Sequence, residues 1–179
     1  MKEVREEVMP VVNLFIGTYT GAAGGKVGDG IYTFGLDTVS GALTLRSVCR
    51  ETENPSFLTR RGDVLYACEE LSKRSAVAAF RIREQGQLFR LGRTATKESG
   101  MCHVALWPAG GFLTASDFDS ASLVIFQLEK DGNIGPVSRI LRHQGSGPHP
   151  QMQRSAHVHS ATFLGDDGRF LVCDLETIP

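Results

Sequence analysis

The chain is predicted to be all-β, built from consecutive four-stranded antiparallel meanders. Three observations predict this. Residues 54–69 (NPSFLTRRGDVLYACE) align without gaps with residues 102–117 (CHVALWPAGGFLTASD), 48 positions further on. Each copy reads as strand, polar or glycine turn, strand, and each is followed by a further apolar strand and a weaker fourth one. No segment of useful length shows the 3.6-residue period of an amphipathic helix. A period near 48 with four short strands per unit is the pattern of β-propeller blades, an ordinary antiparallel sandwich being the competing arrangement.

Taken in order, residues 1–10 (MKEVREEVMP) carry charges of both signs and no apolar stretch. They read as a flexible N-terminal extension and not as a signal peptide. Residues 11–20 (VVNLFIGTYT) are β-branched and aromatic, hence a strand. Residues 21–30 (GAAGGKVGDG) are glycine-rich, but neither a helix pattern nor a GK[ST] follows. A mobile hairpin loop is the expectation there, rather than a phosphate cradle. Residues 31–36 alternate, DTVSG (37–41) is a turn, and residues 42–50 close a three-stranded meander.

The two 48-residue copies come next, with SAVAAFRIREQGQL (75–88) and ASLVIFQLEKDGNI (121–134) as third strands and 89–94 and 137–143 as fourth strands. A third copy begins at 158–174 (VHSATFLGDDGRFLVCD), with one extra residue assigned to its turn, and the sequence ends after two strands. The predicted blades are 11–52, 53–99, 100–156 and an incomplete 157–179, all within one domain, 11–179. That is about three to three and a half blades, with open sheet edges at both ends that predict self-association.

A net charge of −1 argues against a nucleic-acid partner or a membrane surface, and no apolar run is long enough for a membrane helix. The four cysteines form no CxxC pair and read as reduced, packed thiols of a cytoplasmic protein.

Seven short motifs, FIGTYT (15–20), GIYTFGLDTVSGALT (30–44), NPSFL (54–58), LYACEE (65–70), CHVAL (102–106), GSGPHP (145–150) and HVHS (157–160), together resemble one family. It is the seven-bladed β-propeller lactonase family, which includes bacterial-type 6-phosphogluconolactonase and fungal carboxymuconate cyclase. The resemblance implies a ring of seven blades, of which this chain would be the N-terminal half. It also implies hydrolysis of a sugar lactone in the pentose phosphate pathway, with no cofactor and no metal. Four positions depart from the family pattern. Met152 and Gln153 stand where Arg-Gln is frequent, Asp117 and Phe118 where Asn-Tyr is frequent, and Glu176 where a glycine is usual.

In a propeller the start of each innermost strand and the end of the next strand reach the same rim. The repeat register, with the extra turn residue in the third copy, makes Pro55, His103 and His159 equivalent, and likewise Glu69, Asp117 and Asp174, so imidazoles and carboxylates are expected to converge. Lactone hydrolysis needs a base for water and a donor for the oxyanion. His159 is the expected acid/base, a neighbouring carboxylate such as Asp174 fixing its tautomer, with His157 as orienting or ligand-binding partner. His103, Arg154, Asp174, Glu69 and Asp117 are the expected substrate-binding residues. Lys73, Arg74, Lys97 and His149 are further cations for a phosphate, although each alone reads as solvated loop charge. Two histidines fall short of a metal site. Cys102 beside His103 is not a nucleophile–base pair, because strand neighbours point to opposite faces. Two other readings remain: a non-catalytic propeller that binds a ligand or protein, and a lactone-forming muconate cyclase.

Overall fold

The computed structural model describes residues 11–21, 28–151 and 153–175. The expected N-terminal extension, the centre of the glycine-rich loop, Met152 and Glu176 lie outside the described residues. The strands are β1 (Val11–Gly17), β2 (Ile31–Asp37), β3 (Leu43–Cys49), β4 (Leu58–Arg61), β5 (Val64–Glu69), β6 (Ala76–Ile82), β7 (Leu88–Ala95), β8 (Met101–Leu106), β9 (Phe112–Asp117), β10 (Ser122–Leu128), β11 (Ile134–Arg142), β12 (Val158–Phe163) and β13 (Phe170–Asp174). The one helical element among the described residues is a 3₁₀ turn, Glu84–Gly86.

The strands form four sheets in strict sequence order: β1-β2-β3, β4-β5-β6-β7, β8-β9-β10-β11 and β12-β13, all antiparallel. Sheet one meets sheet two through β1 and β4, sheet two meets sheet three through β4, β5 and β8, and sheet three meets the last hairpin through β8, β9 and β12. The first strands of the sheets are therefore successive neighbours about one axis, which is the arrangement of a β-propeller. Gly17 permits the first of these approaches, since a Cβ there would sit 1.9 Å from the Pro55 carbonyl oxygen.

The core lies between sheets, as blade packing requires. Tyr66, Val77, Met101, Leu113 and Phe126 fill the space between sheets two and three. Ile31, Leu65 and Phe80 pack with Phe15 and Leu58 between sheets one and two. Leu123, Val158 and Ala161 join sheet three to the hairpin. Each large apolar side chain buried in this way contributes about 2 kcal/mol. Turn chemistry closes the meanders. At Asp37 the carboxylate accepts the N–H groups of Val39 and Ser40 at 2.9 and 3.0 Å, which holds it below the usual carboxylate range.

The register corrects the alignment at two points. Leu58 pairs with Ala67 as Val104 pairs with Ala115, so β4 and β8 are offset by 46 residues and the following strands by 48. Between the equivalent pairs Arg60–Leu65 and Leu106–Leu113, the β4–β5 connection is two residues shorter than the β8–β9 one. Met101 pairs with Asp117 as Val158 pairs with Asp174, and Leu106 with Leu113 as Phe163 with Phe170. The last hairpin therefore has no extra residue. Bulges fall at Cys102 and at His159, which are the true equivalents. His103 matches Phe57 and Ser160, and neither His159 nor Pro55. The carboxylate equivalence stands: the next residues, Glu70, Phe118 and Leu175, donate their N–H groups to the carbonyls of Asn54, Gly100 and His157 at 3.1, 2.9 and 2.9 Å.

Candidate functional site

The starts of β4, β8 and β12 gather aromatic and imidazole rings on one rim. Phe57 lies against His103 with ring centroids 4.2 Å apart. Burial and the neighbouring His159 push the His103 imidazole below its ordinary value, and its Nδ1 is buried without a hydrogen-bond partner. Phe118 stacks on His157 at 4.2 Å and meets His159 edge-on at 6.2 Å. His157, just before β12, and His159, at its bulge, thus both reach the Phe118 ring.

His157 is the most constrained of these rings. Its backbone N–H donates to Asp174 Oδ1 at 3.0 Å, and its Nδ1 lies 2.9 Å from the Phe118 carbonyl oxygen. A carbonyl only accepts, so the network assigns the proton to Nδ1. In the neutral ring, Nε2 then accepts from Ser155 Oγ at 3.1 Å. His159 is exposed, at the bulge where its carbonyl receives the Cys102 thiol at 3.4 Å.

The predicted carboxylates separate. Asp174 does not orient His159; its Oδ2 pairs with His143 Nδ1 at 2.9 Å, and its Oδ1 holds the backbone of His157. Glu69 is 2% exposed and turns into its own sheet, where Arg93 Nε donates at 2.6 Å and Thr52 Oγ1 at 3.2 Å. Asp117 is fully buried, with no hydrogen-bond partner for either oxygen. Burial, then the charge of Glu98, pushes its carboxyl up to about 8. Arg142, the cation nearby, is bound at both Nη groups by Glu98 at 2.8 Å. Convergence on the rim therefore holds for the imidazoles and fails for Glu69 and Asp117. Arg154 is exposed beside Ser155, its Nε donating to the Pro150 carbonyl at 3.0 Å.

The rim also holds residues that the sequence did not single out. Tyr19 donates to Glu70 Oε2 at 2.7 Å, and that hydrogen bond, with burial, pushes the phenol up to about 12. Asn54, at a left-handed φ of 46°, accepts the N–H groups of Thr20 and Gly21 at 2.8 and 2.9 Å and so fastens the segment that follows β1 to the start of sheet two. The signal available for Glu70 and Phe118 was their shared place one residue past the aligned carboxylates. Ser155 had only its spacing from His157.

All four cysteines are free thiols. Cys173 is exposed on β13 and not packed, because that strand's alternation turns it outward. Burial pushes Cys102 up to about 12, which leaves it a poor nucleophile. Among the described residues no group of three or more His, Cys, Asp and Glu is placed to hold a metal ion. A cleft of about 310 Å³ between sheet three and the hairpin is lined by Trp107, Phe112, Phe163 and Phe170, at the far end of β12 from His159. It is a packing cleft between blades, remote from the imidazoles.

A ring-forming stack of antiparallel meanders with imidazoles on its rim defines a propeller protein with a candidate acid/base site. The family model described as a seven-bladed β-propeller lactonase matches residues 13–177, and the chain belongs to that family. It is 30% identical over 165 residues to a 6-phosphogluconolactonase of Bacillus subtilis, covering 90% of this chain and 46% of that one. A 6-phosphogluconolactonase of Formosa agariphila is 31% identical over 164 residues, with 88% and 46% covered. The solved structure of a periplasmic gluconolactonase of Pseudomonas aeruginosa superposes with a TM-score of 0.82 at 25% identity, covering 93% of this chain and 48% of that one. The chain spans about half the length of the relatives it matches. No helix among the described residues is long and apolar enough to cross a membrane.

Proposed function

We propose that this chain carries part or all of a lactone-hydrolase site, with a sugar lactone such as 6-phosphogluconolactone as substrate. The observation that carries the reading is the placement of His157 and His159 around the Phe118 ring at the start of β12, the first stacked and the second edge-on, with His103 beside His159. Exposed His159 takes the proton of the attacking water, and the constrained His157 orients it or the substrate. The exposed guanidinium of Arg154 suits a phosphate on the sugar. Four free thiols support a reducing compartment, the cytoplasm.

The replacement of a frequent family arginine by Met152 favours a second reading, a propeller that binds a ligand without turning it over. Acid release from freshly generated 6-phosphogluconolactone, measured against spontaneous opening, separates the two. Turnover is expected to fall by about a hundredfold in His159→Ala. A kcat preserved within about tenfold, roughly 1.4 kcal/mol in barrier, removes His159 from the acid/base role. A chain with no turnover supports the binding reading. A muconate substrate run in parallel tests the cyclase chemistry.

A further inference from the structure

We propose that Ser155 is a nucleophile activated by His157, so that the site forms an acyl-serine from an ester or lactone. The proposal deepens the lactone-hydrolase reading and rests on it for the substrate, though not for the reactivity of the serine.

Three groups stand in the order that nucleophilic catalysis uses: Ser155 Oγ, then His157 Nε2 at 3.1 Å, then an orienting acceptor, the Phe118 carbonyl, 2.9 Å from Nδ1. Here a backbone carbonyl fills the position that a carboxylate often takes. Because it only accepts, it fixes the tautomer that leaves Nε2 as the base. The imidazole cannot swing away easily. Phe118 stacks on its face and Asp174 holds its backbone N–H.

The serine itself is exposed, at the end of a loop that is tied to itself: Gly147 N–H donates to the Gln153 carbonyl at 2.9 Å, Gln153 N–H to the His149 carbonyl at 3.0 Å, and His149 N–H to Gln153 Oε1 at 3.0 Å. The exposed Arg154 guanidinium is carried by the adjacent residue, a suitable charge for an oxyanion or an anionic substrate.

The chemistry balances in two stages. Ser155 Oγ bonds to the lactone carbonyl carbon as its proton passes to His157 Nε2. The ring C–O bond breaks, and its alkoxide takes that proton. Water then attacks the acyl carbon, giving its proton to His159 in the role assigned above. As the Oγ–C bond breaks, Ser155 Oγ takes a proton from solvent, His159 gives its proton up to solvent, and the hydroxy acid leaves.

Diisopropyl fluorophosphate tests the pair without any lactone. Its reaction forms Oγ–P, breaks P–F, and sends the serine proton out with fluoride. The intact chain should gain one adduct, mapped by tandem mass spectrometry to Ser155. The adduct should be absent in Ser155→Ala and form about a hundredfold more slowly in His157→Gln, with thermal melts showing both variants folded. No adduct on Ser155 of the folded wild-type chain overturns the proposal, as does an adduct that forms as fast in His157→Gln. Should His157→Gln not fold, the wild-type labelling rate across pH decides: it must fall as the imidazole is protonated, and a flat profile overturns the proposal. Labelling without lactone turnover keeps the activated serine and removes the lactone reading; turnover without labelling does the reverse.

Discussion

Sheets two and three run through the same backbone pattern, and each ends its second strand in a buried acid, Glu69 in one and Asp117 in the other. Their surroundings are opposite. Glu69 meets Arg93 at 2.6 Å, Thr52 at 3.2 Å and Arg90 at 3.8 Å. Asp117 meets no donor, and the arginine on its own sheet is held by Glu98. One carboxylate is met by cations that a partner strand supplies. The other keeps its place by holding a proton. Repeated backbone register thus does not carry the electrostatics with it; each blade settles its buried charge with the side chains its outer strand offers.

The largest effect expected from this contrast is at Asp117. The folded state holds its proton up to about pH 8, whereas an unfolded aspartate releases it near pH 4. Between those values the folded state binds more protons, so stability falls as pH rises through the window. Asp117→Asn, a neutral isostere, should remove that loss. Urea denaturation of both chains should agree near pH 4 and diverge to a few kcal/mol in favour of the variant by pH 8. A difference that does not change with pH would mean that Asp117 is ionised in the fold, and the contrast with Glu69 would collapse.

The converse test is at Arg93. Arg93→Met leaves Glu69 buried with only the more distant Arg90. The cost should be about 2 kcal/mol, below that of a fully buried pair because Arg93 itself is about one-third exposed. Adding Glu69→Gln to Arg93→Met should recover part of the loss, since the double variant has no stranded charge. If the double variant is as unstable as the single one, packing of the Arg93 stem, and not its charge, is what sheet two needs.

How far these differences could be read from sequence follows from the same residues. The strands were legible because alternation and turn chemistry are local; the Asp37–Gly41 turn and the buried run of β5 declare themselves within a few residues. The equivalence of Glu69, Asp117 and Asp174 was legible because the strands that end in them lie on one side of the turn. The equivalence of the histidines was not. It depended on the length of the turn and on bulges at Cys102 and His159, and a one-residue shift exchanges the two faces of a strand. The partners of the acids were illegible for a further reason: Arg93 lies two strands away from Glu69 in the sheet, and His143 reaches Asp174 from a different sheet. The serine–imidazole contact was hidden because loop 143–157 has no period to fix a direction.

The smallest effect concerns His103, a second polar group without a partner, this time on the rim. Its Nδ1 is buried and unbonded, its ring rests on Phe57, and burial together with His159 holds it below the ordinary imidazole value. The fold therefore prefers it neutral. Below about pH 6.5 the unfolded chain takes up a proton that the folded chain resists, so stability is present above that pH and is lost as pH falls through it. His103→Phe keeps a ring on Phe57 and cannot be protonated. At pH 7.5 the two chains should differ by less than about 1 kcal/mol, the aromatic contact being retained. At pH 5 the variant should be the more stable, and that difference should shrink in His159→Asn, where the neighbouring imidazole that helps hold His103 down is gone. Chemical-shift titration of the imidazole Cε1–H signals checks the assignment directly. If His103 titrates at or above the value of a free histidine, it is paired in solution by a group on the rim. It would then join His157 and His159 as a working imidazole, and Asp117 would be left as the buried acid–base group without a hydrogen-bond partner among the described residues.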